Sequence, residues 1–250
     1  MAWKDELNNA KKIFKNGTLK EKTGYIFDYY KWHIIFIIFI IHFIGSMIYN
    51  NATAKDYVLQ GLFLNPLASV ETAAELEEDF IEKHPIDTSS EDVFFDSSLY
   101  FSTDNADAAN SYQALQILST RVAAGEIDFI VADDITLTDL SYNGYFSDLT
   151  EVLSDEQIKK YEPYFLYYDR VILEELNSID YTTEELPETV LPDSSKPELM
   201  DEPVPVMINI TASEKISVLY PNSKNKYAIA FVANSSHTEK SLELLNYLTQ

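Results

Sequence analysis

The pattern of apolar and polar residues divides the chain at one long hydrophobic run. Residues 32–49 read WHIIFIIFIIHFIGSMIY, about the length that an α-helix needs to cross the hydrocarbon core of a bilayer. Aromatic residues crowd both ends of the run, as they do in the interfacial belts of membrane spans. The pattern therefore predicts a transmembrane helix over residues 32–49, preceded by a leader over residues 1–31 and followed by a domain over residues 50–250.

Two alternatives compete with an uncleaved membrane anchor. A buried core helix usually keeps a polar face, which this run lacks. A cleaved signal peptide is the stronger alternative, because Ala52-Thr53-Ala54 fits a signal-peptidase site directly after the run. The long leader and the length of the run favour an uncleaved anchor. In either case the bulk of the chain is exported.

Beyond the run, stretches of strand length alternate with stretches of helical periodicity. Strands are predicted over residues 57–64, 92–101 and 127–132, with a helix from the Ser69 cap to Lys83 and another over residues 105–124. Strand, helix, strand, helix, strand is the order of parallel βαβ units. We therefore predict an α/β domain with three layers and a mainly parallel sheet, in which ligands bind outside the carboxyl ends of the strands.

The second half of the domain shows a less regular pattern. Helices are predicted over residues 138–149 and 154–165, the latter with a Ser154–Gln157 capping box, and an acidic, proline-rich excursion follows over residues 174–203. The remaining predictions are strands over residues 204–210 and 227–233, a turn near Pro221-Asn222, and a terminal helix that opens with a Ser236–Glu239 capping box.

Charge gives the anchor an orientation. The chain has 18 basic and 41 acidic residues. Seven lysines and four acidic residues lie in the leader, so the domain after the hydrophobic run has 11 basic and 37 acidic residues. An excess of Lys and Arg marks the cytoplasmic side, so we predict a single-pass protein of the cell membrane with a cytoplasmic N-terminus and an extracellular domain. So acidic a domain repels phosphate backbones, which excludes nucleic acid as a partner.

The absence of cysteine excludes several kinds of functional site and of membrane attachment. The chain has no cysteine, which excludes disulfides, thiolate metal sites, a cysteine nucleophile and attachment through a lipidated cysteine. Exported domains of eukaryotes often carry disulfides, so their absence favours a bacterial envelope. The sequence also shows no histidine pair at zinc spacing, no glycine-rich phosphate loop and no serine nucleophile elbow. We expect neither enzymatic activity nor a metal or cofactor.

One segment resembles a known family. Residues 125–153, GEIDFIVADDITLTDLSYNGYFSDLTEVL, place a helix-ending Gly125 before an apolar strand, the pair Asp133-Asp134 and a Gly144-aromatic-x-x-Asp-Leu turn. In this order the segment resembles the extracellular solute-binding proteins of ABC importers, and the late strand at 227–235 with its terminal helix is similar to theirs. The leader resembles that of uncharacterised membrane-anchored proteins of low-GC Gram-positive bacteria.

The resemblance implies a periplasmic-binding-protein-like fold and the recognition of a small solute or nutrient in transport. It also implies an ABC permease or another envelope protein as partner, besides the bilayer around residues 32–49. Two features depart from the family. The domain after the anchor is short, so the second lobe is expected to be reduced or absent. A transmembrane helix also replaces the lipidated cysteine that usually attaches such receptors.

Five residues are candidate ligand contacts. Asp133 and Asp134 stand at a predicted strand end, where ligands of open α/β sheets bind, and Tyr142, Tyr145 and Tyr112 offer ring faces for stacking on a sugar. Helix capping is the alternative for the acidic pair, and partial burial in the core is the alternative for the tyrosines.

Two functions follow from this sequence. The first is a membrane-anchored solute-binding-like module. The alternative is a degenerate binding-protein fold that acts as a protein-interaction scaffold in the cell envelope.

Overall fold

A computed structural model describes residues 2–101, 108–179, 190–221 and 223–250. The chain forms two compact units, Met1–Ala54 and Lys55–Gln250. Three predicted features lie outside the described residues: the helix start at Asn105, Pro187 of the acidic excursion, and Asn222 of the predicted turn.

The N-terminal unit consists of helices α1 (Ala2–Asn16) and α2 (Leu19–Thr53). Thr18 and Glu21 form a capping box at the start of α2, in which the Thr18 backbone N–H donates to Glu21 Oε2 at 2.8 Å. Within α2, the segment Tyr30–Thr53 is long enough and apolar enough to cross a membrane, and its most apolar window is unburied. The predicted hydrophobic run therefore lies inside one continuous helix.

The unit Lys55–Gln250 is built on one six-stranded sheet of order β2-β1-β3-β6-β5-β4. The strands are β1 (Asp56–Phe63), β2 (Glu91–Asp96), β3 (Phe129–Asp133), β4 (Phe165–Asp169), β5 (Pro203–Asn209) and β6 (Tyr227–Phe231). Strand β1 pairs in parallel with β2 and β3, whereas β3–β6, β6–β5 and β5–β4 are antiparallel. The α/β class is confirmed, but the prediction of a mainly parallel sheet is wrong, because three of the five pairings are antiparallel.

One of the three antiparallel pairings comes from a strand that the residue pattern did not reveal, and the other two come from the direction of the predicted strand β6. Residues 154–165 were expected to form one helix, but α7 (Asp155–Tyr161) ends in a short 3-10 turn at Glu162–Tyr164 that contains Pro163. Proline cannot donate the next helical hydrogen bond. The aromatic stretch that follows therefore extends as β4 and pairs with β5 at the sheet edge.

Helices cover both faces of the sheet. They are α3 (Val70–Lys83), α4 (Ala108–Ala123), α5 (Asp134–Ser141), α6 (Leu149–Val152), α7, α8 (Arg170–Ser178), α9 (Glu214–Leu219) and α10 (Thr238–Leu248). Helices α3, α6, α9 and α10 contribute to one core cluster, and α4 and α5 contribute to the other. The result is the predicted three-layer arrangement. Both clusters lie within Lys55–Gln250, so this unit has its own hydrophobic core, as an independently folding domain requires.

Local signals explain where helices begin and end. Gly125 has φ +70° and ends α4, with the Glu126 N–H donating to the Arg121 carbonyl, as in a Schellman motif. The Ser154–Gln157 capping box is confirmed. The helix predicted over residues 138–149 is wrong, because Asp133 caps α5 earlier and Gly144, at φ +71°, follows its end.

Two further predictions about where helices begin and end are wrong. The Ser236–Glu239 capping box is absent, since His237 takes the N-cap position of α10 without a side-chain cap bond. The acidic excursion predicted to start at residue 174 overlaps the end of α8, which Asp169 caps by accepting from the Val171 N–H.

Candidate functional site

Four strands end at the same edge of the sheet. Strands β1, β2, β3 and β5 run in one direction and β4 and β6 in the other, so the last residues of the first four share what we call the carboxyl edge. Ligands of open α/β sheets bind outside such an edge. Two hollows of ligand size open there, one after β5 and one after β1 and β2.

The hollow after β5, which we call the β5 cavity, has a volume of about 620 Å³. Its wall comes from four parts of the chain: the end of α7 with its 3-10 turn, the end of β5, the segment entering α9, and the residues at the end of α10. The lining residues are Lys160, Tyr161, Tyr164, Asn209, Ile210, Ala212, Ser213, Glu214, Lys215, Leu248, Thr249 and Gln250.

Hydrogen bonds hold the α7 and α10 sides of the β5 cavity together. The buried Tyr161 hydroxyl donates to Asn246 Oδ1 at 2.9 Å and lies 3.1 Å from Thr249 Oγ1. The Lys160 ammonium donates to the same Asn246 oxygen at 3.1 Å. On the opposite wall, Ser213 caps α9 by accepting from the Ile216 N–H. Side-chain hydrogen bonds thus hold the α7 and α10 sides of the cavity in fixed positions relative to each other.

A tyrosine that contacts the cavity residue Lys215, but does not itself line the β5 cavity, has an unusual electrostatic setting. Tyr247, on α10, is 3 % exposed, and its hydroxyl donates to Asp79 of α3. Burial and the neighbouring Asp79 carboxylate raise the pKa of Tyr247. The same tyrosine ring lies under the Lys215 ammonium, 4.4 Å from its centroid. Tyr247 therefore links α3, α10 and the cavity wall.

The second hollow, the β1–β2 groove, has a volume of about 550 Å³ and is more open. Asn65, at φ 52°, brackets the backbone of Phe101: its Nδ2 donates to the carbonyl, and its Oδ1 accepts from the N–H, each at 2.6 Å. The Tyr100 hydroxyl donates to the Pro66 carbonyl at 3.4 Å. The polar groups of Asn65 are thus used within the fold, which makes this groove the weaker candidate.

The acidic pair lies at the carboxyl edge but serves the helix that follows. Asp133 caps α5, accepting from the Thr136 N–H at 3.0 Å and from the Thr136 hydroxyl at 2.8 Å. Asp134 is the first residue of α5. Burial raises the pKa of Asp134, although the charge of Lys226 acts in the opposite direction. The capping alternative describes the observed contacts of Asp133, and a ligand role for the pair stays a prediction.

The three tyrosines do not gather around that pair. Tyr142 is 8 % exposed and accepts a hydrogen bond from the Asp169 N–H, at the far end of the sheet. Burial raises its pKa. Tyr145 contacts the Ser119 hydroxyl at 2.6 Å and lies at the amino end of β3, so the length of that strand separates it from Asp133. Tyr112 lies on the outer side of α4, 64 % exposed. The lining of the β5 cavity and of the β1–β2 groove includes none of the five predicted residues.

Sequence reasoning did not single out the residues of the β5 cavity. They come from segments up to 90 residues apart, so only the tertiary fold brings them together. One sequence signal was available: Asn209 ends an apolar strand, as Asp133 does, and Ser213 comes shortly after it. Its use required the direction of β5, which the sequence pattern left undetermined.

A buried carboxylate lies at the opposite edge of the sheet. Asp128, 1 % exposed, accepts from the Gln60 N–H and the Ser235 hydroxyl, each at 2.6 Å. Its Oδ1 also lies 3.1 Å from Nδ1 of His237, the N-cap residue of α10. This cluster joins β1, β3 and the start of α10, whose other end lines the β5 cavity.

No group of three or more His, Cys, Asp or Glu residues in the described part of the chain has the arrangement of a metal site. In comparisons with known proteins, no family model, no curated protein and no solved structure matches this chain. The resemblance to extracellular solute-binding proteins therefore stays a prediction from the sequence.

Proposed function

We propose that the protein is a membrane-anchored binding module that recognises a small solute at the outer face of the cell membrane. The observation that carries this proposal is the β5 cavity. Its volume of about 620 Å³ falls within the range of about 300–1,000 Å³ that is usual for small-molecule sites. Its position at the carboxyl edge is where α/β sheets place their ligands.

The wall of the β5 cavity has the composition that such a role requires. Tyr164 and Leu248 contribute apolar surface, and Asn209, Ser213 and Thr249 contribute an amide and two hydroxyls. Ligand sites commonly combine a mainly apolar lining with a few polar groups that orient the ligand. Because hydrogen bonds between α7 and α10 already fix the wall, little ordering would be needed on binding.

Thermal unfolding with added solutes, and with a variant whose side chain blocks the cavity, tests this proposal. The fragment 55–250 is heated alone and with amino acids, hexoses and hexose phosphates, beside an Ala212→Trp variant that places an indole in the cavity wall. A ligand at 100 times its Kd stabilises the folded state by about 2.7 kcal/mol. For a domain of this size, that corresponds to an increase in Tm of about 5–11 °C.

The matched control is Ala124→Trp, which adds the same side chain at an exposed position at the end of α4. We expect a solute that raises the Tm of the wild type and of Ala124→Trp but not that of Ala212→Trp. A panel that leaves every Tm unchanged would contradict solute binding in these classes. A shift that survives Ala212→Trp would place the site elsewhere.

The anchor is the second half of the proposal. Its support is the helical segment Tyr30–Thr53, together with the lysine-rich leader before it and the acidic domain after it. The chain lacks cysteine, so Asn9→Cys and Lys224→Cys each introduce a single thiol at an exposed position. In intact cells, a membrane-impermeant maleimide should label Lys224→Cys, and should label Asn9→Cys only after permeabilisation. The reverse pattern would contradict the proposed orientation.

A further inference from the structure

We propose that the β5 cavity selects small organic anions, with Lys160 and Lys215 binding the carboxylate or phosphate group. This inference rests on the proposed solute-binding function and names the chemistry of the solute. It starts from the scarcity of positive charge: the domain carries 11 basic residues against 37 acidic ones, yet two of the lysines line one cavity.

Six of the 11 basic side chains of the domain form salt bridges: Lys55, Lys83, Arg121, Arg170, Lys196 and Lys240. Of the five that form none within the described part of the chain, only Lys160 and Lys215 line the β5 cavity. Within the described part of the chain, neither Lys160 nor Lys215 has a carboxylate oxygen within 4.0 Å of its ammonium nitrogen. In so acidic a domain, two lysines without such a partner at one cavity form a local site for negative charge.

Neutral groups hold both ammonium groups in place. Lys160 donates to the Tyr161 hydroxyl at 2.8 Å and to Asn246 Oδ1 at 3.1 Å. Lys215 lies over the ring of Tyr247, 4.4 Å from its centroid. An ammonium group has three donors, so Lys160 keeps one for a ligand while Asn246 and Tyr161 orient it. These contacts position the two charges without a direct salt bridge, and the nearest compensation is the charge of Asp79, whose pKa Lys215 helps to lower.

The other residues that line the cavity indicate the charge, the polar groups and the size of the solute. Glu214 also lines the cavity, so the lining side chains carry a net charge of +1, which suits a singly or doubly charged anion better than a polyanion. Asn209, Ser213 and Thr249 offer hydrogen bonds to neutral polar groups. A volume of about 620 Å³ leaves room for an organic body beside the charged group. Carboxylate and phosphate share this recognition chemistry, and matched probes distinguish them.

The experiment compares probes that differ in charge but hardly in size. The fragment 55–250 is titrated by calorimetry with glucose, glucuronate and glucose 6-phosphate, and with glutamine against glutamate. We expect the anionic member of at least one set to bind 10-fold or more tightly than its neutral counterpart, with an affinity that falls as NaCl is added. Glucuronate or glutamate points to a carboxylate ligand, and glucose 6-phosphate points to a phosphate ligand.

Variants assign the effect to the two lysines. Lys160→Gln and Lys215→Gln should each weaken anion binding by 10-fold or more, whereas Lys160→Arg, which keeps the charge, should retain most of it. Lys159→Gln is the matched control, because Lys159 is an exposed neighbour on the same helix that does not line the cavity. The melting temperature of each free variant reports whether its fold is intact.

Two results would overturn the inference, and only the second would also contradict the solute-binding proposal. If neutral members bind as tightly as anionic ones and the glutamine variants bind like the wild type, the anion preference is wrong and solute binding stands. If no member of any set binds, both the anion preference and the solute-binding proposal fail for these compounds.

Discussion

Replacing Asp128 by alanine perturbs the cluster that fixes the start of α10. The carboxylate is 1 % exposed and accepts from the Gln60 N–H and the Ser235 hydroxyl, each at 2.6 Å, beside His237 Nδ1 at 3.1 Å. Alanine leaves these donors without their acceptor. Because α10 carries part of the β5 cavity wall at its other end, the same substitution should also loosen that wall.

The expected loss of stability follows from these contacts. A hydrogen bond to a charged group contributes about 1.5–3 kcal/mol, and a buried donor that loses its acceptor costs about 1–3 kcal/mol. These values overlap rather than add, so we expect Asp128→Ala to lower the free energy of unfolding by about 3–5 kcal/mol, as for other broken buried pairs. For a domain of this size, Tm should fall by about 6–20 °C.

Urea denaturation of the fragment 55–250, followed by circular dichroism, measures this loss. Asp128→Asn keeps an acceptor for the Gln60 N–H and should lose less than Asp128→Ala. Asp92→Ala removes an exposed carboxylate 3.7 Å from Lys55 and should cost less than about 1 kcal/mol. A free energy of unfolding of Asp128→Ala within about 1 kcal/mol of the wild type would refute the assigned role of the cluster.

Two further predictions concern the core and the pH dependence of stability. Gly61→Ala should destabilise the fragment by at least about 1–3 kcal/mol in urea denaturation, because a Cβ there would lie 1.7 Å from Phe129 Cζ; a wild-type midpoint would contradict this packing. At Asp96, burial alone would raise the pKa, but hydrogen bonds from Ser98 and Arg121 outweigh it and lower the pKa. The stabilisation by Asp96 is therefore present above its unfolded pKa of about 3.9 and lost as pH falls through the lower folded value. Asp96→Asn should lower stability at pH 7 and lose less on acidification, and equal losses in both proteins would contradict this.

Most of the first half of the domain could be predicted because its signals are local, although the strand predicted over residues 92–101 ends at Asp96. Strand β1, helix α3, strand β2 and the end of α4 each have an apolar stretch or periodicity bounded by a turn residue, such as Gly125. The second half depends on non-local pairing. Strand β4 has only five residues and follows a helical pattern, and β6 lies between β3 and β5 through contacts that no local pattern encodes.

The candidate site shows the same division. Placing Asp133 at a strand end was sound, but a single Asp before a helix fits both a cap and a ligand contact, and its observed partner is Thr136. The residues of the β5 cavity are polar or aromatic side chains with no shared motif. Lys160 and Lys215 stand out only when the cavity lining and the salt bridges of the other basic side chains are both known.

Mapping a bound anion onto the domain tests the central claim most directly. Two-dimensional ¹H–¹⁵N NMR spectra of the fragment 55–250 are recorded while the tightest-binding anionic probe of the matched sets is added. We predict that the backbone amides of Asn209, Ser213, Lys215 and Thr249 show the largest chemical-shift changes, and that Lys215→Gln abolishes them. Changes centred on Asp133 and Asp134, or no change with any anion, would contradict a solute site in the β5 cavity.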